Sequence, residues 1–119
     1  MKYACELDEL KEKEPMVVDL DGKEIGLILW KGAVHAYENF CPHMGGPVCL
    51  GGVYARVKGQ LDDDRRMVKE YVDENELRLV CPWHGFEFDL ATGEHLPGSR
   101  FHLRKYEAEI RNGQVYVRC

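Results

Sequence analysis

At 119 residues, 45% of them hydrophobic, the chain is long enough for one compact core and too short for two substantial ones. Its formal net charge of −5 argues against a nucleic-acid partner, because phosphate binding draws on clustered Lys and Arg. No apolar run approaches the roughly eighteen residues of a membrane helix, and the opening MKYACELDELKEKEP lacks the apolar core of a signal peptide, so a soluble cytoplasmic protein with no membrane contact is the expectation.

In chain order the sequence reads as short strands separated by glycine turns. A first strand lies near Tyr3, with Cys5 in it as a small buried hydrophobe, and LDELKEKE supplies at most a helical turn or two. MVVDL and KEIGLILW flank Asp21-Gly22, a strong two-residue hairpin signal, with Trp30 reading as core. Lys31-Gly32 then leads into AVHAYEN. After the loop ENFCPHMGGPVC comes a charged stretch, in which Asp62, Asp63, Asp64, Glu70, Asp73, Glu74 and Glu76 outweigh Arg65, Arg66 and Lys69. This reads as a solvated excursion, and its DDDRRMVKEY portion is ambiguous between helix and strand. VCPWHGFEFDL ends in a short strand before ATGE, with Glu87 and Asp89 pointing outward. KYEAEI and QVYVR flank Asn112-Gly113, a further hairpin, with Tyr106, Ala108 and Ile110 on one strand face and Val115 and Val117 on another. Short β-branched and aromatic runs without a long amphipathic helix or a repeat predict an all-β antiparallel sandwich or barrel.

Two loops carry the chemistry. Each has one cysteine just ahead of one histidine: Cys41 with His43, and Cys81 with His84. Both cysteines precede a proline (Pro42, Pro82), and glycines follow the histidines (Gly45, Gly46, Gly85). Proline stiffens the backbone and glycine lets it bend and approach closely, which suits a loop that clamps a metal. Five cysteines, an odd number with no regular spacing, favour metal ligation over a disulfide scaffold. Three chemistries compete. A single zinc ion accepts two cysteines and two histidines, but its finger motifs keep like ligands together. A binuclear iron–sulfur centre accepts two cysteines on one iron and two histidines on the other. Nucleophilic catalysis by a Cys–His pair needs only one of the two loops.

At these residues the sequence resembles the Rieske family: CPH at 41–43 and CPWHG at 81–85 look like its C-x-H and C-x-x-H boxes. The resemblance runs from the strand near Tyr3 to the closing VYVR. It implies a Rieske-type antiparallel β-sandwich or barrel, with a cluster-binding subdomain formed by the two loops. It also implies a [2Fe–2S] cluster whose inner iron is held by Cys41 and Cys81 and whose outer iron is held by His43 and His84, at the tip of the protein. The chain departs from the family between the boxes, where 37 residues separate His43 from Cys81, more than is usual. The expected organisation is therefore one domain over 1–119 with an acidic insertion at about 55–76, a cheap addition because loop-closure entropy grows only logarithmically with length.

High-potential members of the family carry an extra cysteine in each box, joined as a disulfide, and place a serine and a tyrosine after the second box. Here the disulfide positions hold Gly46 and Trp83, and the other two hold Phe86 and Phe88. Without those donors near the sulfurs the potential is expected toward the low end of the range, roughly −150 mV. The resemblance further implies a one-electron carrier that is not itself an enzyme, taking electrons from a flavoprotein reductase and passing them to a terminal oxygenase or similar enzyme. The alternative is a small Rieske subunit of a larger oxidoreductase, as in nitrite reductases. An oxygenase would need a second, catalytic iron domain that 119 residues cannot hold. Met44, Pro47, Trp83 and Phe86 are read as an apolar collar for partner docking. His35, His95 and His102 are read as structural or surface residues, Cys49 as loop packing or a free thiol, and Cys119 as a frayed end.

Overall fold

The computed structural model describes residues 1–61, 67–83, 85–95 and 100–119. Strands β1 (Lys2–Glu6), β2 (Met16–Leu20), β3 (Lys23–Trp30), β4 (Ala33–Glu38), β8 (Lys105–Arg111) and β9 (Gln114–Arg118) form one antiparallel sheet in the order β1-β9-β8-β4-β3-β2. This sheet curls into a nearly closed barrel. A second sheet has the order β5-β6-β7, built from Val53–Leu61, Met67–Val80 and Glu87–Asp89. The all-β antiparallel expectation holds. The turns at 21–22, 31–32 and 112–113 each place two successive residues at positive φ, the twist that suits two-residue hairpins.

The apolar run of β3 has a structural reason. Ile25 and Leu27 point into the barrel with Cys5, Leu20, Ala36, Tyr106, Val115 and Val117. Ile28, on the opposite face, joins a second core with Tyr37, Val48, Leu79, Phe88, Leu90 and the thiols of Cys41, Cys49 and Cys81. With both faces covered, the strand needs no polar alternation. Adjacent residues of β4 divide in the same way, Ala36 into the barrel and Tyr37 into the second core, where its hydroxyl donates to the Leu90 carbonyl at 2.5 Å.

The readings of Cys119 and Asp89 are corrected, and other local readings are settled. Ile110 is exposed although it shares a strand face with buried Tyr106, because it lies at the turn end of β8, beyond the core. Cys119 is half-buried against the barrel core and is not frayed. Asp89 is half-buried, and its carboxylate accepts the N–H groups of Ala91 and Thr92 at 2.8 and 3.1 Å, closing the turn after β7. LDELKEKE yields one short 3₁₀ turn at Leu7–Glu9. The stretch that was ambiguous between helix and strand is strand from Met67 onward, and residues 62–66 lie outside the described residues. β5 and β6 form a long hairpin whose pairing steps from Ala55↔Leu77 to Arg56↔Asp73, so residues 74–76 bulge out of register.

Candidate metal centre

The two Cys–His loops leave the scaffold at different places but close alike. The first follows β4. Its Cys41 N–H donates to the Gly46 carbonyl at 2.8 Å, five residues on, and Gly45 sits at φ +80°. The second joins β6 to β7. Its Cys81 N–H donates to the Phe86 carbonyl at 2.9 Å, again five residues on, and Gly85 sits at φ +66°. The differing C-x-H and C-x-x-H spacings thus ride on one backbone device. Buried Asn39 staples the first loop, donating its N–H to the Glu24 carbonyl and accepting the Cys49 N–H on Oδ1, each at 2.8–2.9 Å.

The loops pack together through glycine. A β-carbon on Gly46 would lie 2.8 Å from the Trp83 ring and 3.0 Å from the Cys81 sulfur, and one on Gly51 would lie 1.6 Å from the Val80 carbonyl oxygen. This packing sets the thiols of Cys41 and Cys81, each 1% exposed, beside each other in the second core. Burial raises the Cys81 thiol above its ordinary pKa, the Trp83 N–H donated to its sulfur pulls it down, and neighbouring Cys41 pushes it up again. None of the five cysteines is joined in a disulfide. Cys49, also in the second core, is pushed up to about 12 by burial.

His43 is half-buried, with Nδ1 shut away from solvent. Its ring lies flat on Phe86, with centroids 4.4 Å apart and planes within 5°, and it meets Phe101 edge-on at 6.0 Å. His84 lies outside the described residues, and among the described residues no three His, Cys, Asp or Glu side chains converge on one point. The structure therefore places Cys41 next to Cys81 and sets His43 beside them against Phe86. Of the collar residues, Met44 and Trp83 are exposed and Pro47 is half-buried. Phe86 has both ring faces covered by imidazoles, His43 on one side and His95 on the other, and belongs to the packing of the site. Phe40, Leu50 and Tyr54 are also exposed, although nothing in their local pattern set them apart in the sequence. His95 and Phe101 were equally invisible as site neighbours, since chain separation from both boxes hides their contact.

Two buried sulfurs side by side, one of them accepting a backbone N–H and pressed by a glycine, suit a soft metal that replaces the thiol protons. An imidazole follows two residues after the first sulfur. A small β scaffold holding such paired loops suits a protein that binds a thiolate- and imidazole-ligated metal centre. The sequence matches the Rieske [2Fe-2S] domain profile over residues 1–107, and the chain belongs to that family. Its cofactor is accordingly a Rieske-type [2Fe–2S] cluster.

A human Rieske domain-containing protein is 34% identical over 92% of this chain and 69% of its own length. The ferredoxin component of the naphthalene 1,2-dioxygenase system of Pseudomonas putida is 26% identical over 96% of this chain and 90% of its own. Among solved structures, a nitrite reductase small subunit from Mycobacterium tuberculosis superposes with a TM-score of 0.73 at 24% identity, over 98% of this chain and 91% of that one, a likeness of fold. No helix among the described residues is long and apolar enough to cross a membrane.

Proposed function

We propose that this chain is a ferredoxin that carries single electrons from a flavoprotein reductase to a terminal oxygenase or related enzyme in the cytoplasm. In this reading Cys41 and Cys81 hold one iron of the cluster, and His43 and His84 hold the other. The observation that carries it is that Cys41 and Cys81 are buried side by side in one core, each opening a loop closed by the same five-residue backbone hydrogen bond. The dioxygenase ferredoxin relative supports the choice of partners.

When bound, the cluster supplies a one-electron couple. The residues of the chain do the rest. Gly46 brings backbone against the Cys81 sulfur and keeps water from it, while the Trp83 N–H donates to the same sulfur. With the cluster bound, Cys41 and Cys81 would be its thiolate ligands and His43 and His84 its imidazole ligands. Met44 and Trp83, both exposed, give a partner an apolar surface next to the loops.

The test is direct. The purified protein should be red-brown, bleach with dithionite and then give the EPR signal of a histidine-ligated cluster. C41S and C81S variants should lose the colour. A colourless protein with stoichiometric zinc would refute the reading. Co-purification in a fixed ratio with a larger reductase, without electron exchange with free oxygenase components, would move the assignment to a permanent small subunit.

A further inference from the structure

The ring contacts of the site continue past Phe86. One face of Phe86 meets His43, and the other meets His95 at 3.8 Å with planes 18° apart, so three rings stack in the order His43, Phe86, His95. His95 Nδ1 lies 2.8 Å from the Glu87 carbonyl oxygen. A carbonyl only accepts, so Nδ1 carries the proton there. The His95 N–H donates to the Phe101 carbonyl at 3.1 Å, and Phe101 presents its ring at near right angles to both His43 and Phe86. His95 therefore grips Phe86 twice, across its ring face and through the carbonyl of the next residue.

We propose that His95 is a positioning residue for the cluster site. It holds Phe86 in the plane against which His43 lies, so the orientation of the His43 imidazole and its access to water depend on a residue outside both loops. The inference rests on His43 being a ligand. The physics is that of outer partners in metal sites: stacked rings prefer defined geometries, and whatever sets ligand orientation and solvent access also sets the reduction potential. If His95 only filled space, its loss would lower stability and leave the potential alone.

The experiment loads the full chain and its H95A, H95F and H43A variants with cluster. It measures iron per chain, the potential by redox titration and the nitrogen couplings of the bound imidazoles by pulsed EPR. H95A is expected to change the one-electron equilibrium by about threefold or more and to alter the nitrogen couplings. H95F, which keeps a stacked ring without the Nδ1 bond, should remain close to wild type. Loss of iron in H95A with full iron in H95F supports the proposal where urea unfolding finds the two variants equally stable, and overturns it where H95A is the less stable. A fully loaded H95A with unchanged potential and couplings overturns it, as does H95F behaving like H95A. A wild-type nitrogen signal in H43A shows instead that the ligand reading has failed, taking the proposal with it.

Discussion

Gly46 and Trp83 meet where the two loops cross: the glycine backbone lies so close to the indole that a β-carbon would come within 2.8 Å of the ring. These are the positions at which high-potential Rieske proteins tie their loops with a disulfide. In this chain close packing stands where the covalent bond would be. The same added carbon would approach the Cys81 sulfur at 3.0 Å. G46A should therefore destabilise the protein by about 1–3 kcal/mol in urea unfolding and lower its iron content. W83A, which removes an exposed ring, should relieve part of that cost, giving a coupling of about 0.5 kcal/mol or more in a double-mutant cycle. The relief should be incomplete because the sulfur remains. Strictly additive effects would show that the indole does not hold the loops.

A second close approach locks the first loop to the barrel. A β-carbon on Gly26 of β3 would lie 2.2 Å from the Cys49 sulfur and 2.4 Å from its Cβ. G26A should cost about 1–3 kcal/mol by overpacking. Adding C49A should not restore stability, because the clashing Cβ of residue 49 is still there. Adding C49G should recover part of it. Recovery with C49A would mean that the sulfur alone sets the fit.

The sequence made the hairpins and the paired boxes legible because both are local. Asp21-Gly22 and Asn112-Gly113 specify their turns within two residues, and Cys41-Pro42-His43 is a motif at fixed spacing. What stayed hidden was contact between distant segments. The need for glycine at 26 shows only once Cys49, on another loop, is placed against it. Phe86 reads as apolar collar until His43 and His95 cover its two faces. Asp89 alternates toward solvent until the following turn curls back onto its carboxylate. In each case tertiary packing overrode a local pattern.

The surroundings of the second loop bear on the potential. Phe88 is fully buried, and Phe86 is enclosed between two imidazoles, so neither position offers a side-chain donor to a sulfur. The Trp83 N–H supplies a backbone donor to Cys81, which limits how far the potential falls. Redox titration of the loaded protein should give a value toward the lower end of the family's range, roughly −150 mV. A strongly positive potential would mean that donors other than side chains at 86 and 88 dominate.

Stability should fall in alkali, with Cys49 as an identifiable contributor. The thiol is 2% exposed, and burial raises its pKa from 9.0 to about 12, against a smaller lowering by a Gly26 backbone hydrogen bond. Between those values the folded chain keeps a proton that the unfolded chain releases. The contribution of this thiol is thus complete below about pH 9 and is lost as pH rises toward about 12, at about 1.4 kcal/mol per pH unit. Burial raises the thiols of Cys5 and Cys81 as well, so the slope of the wild type alone does not isolate Cys49. The C49A variant does. Urea unfolding under reducing conditions, from about pH 8 to about pH 11, should show wild type the more stable at the lower end and its advantage over C49A shrinking as pH rises. An advantage that stays constant with pH would show that the Cys49 thiol ionises equally in the folded and unfolded chains, and that the second core is wetter around residue 49 than its packing implies.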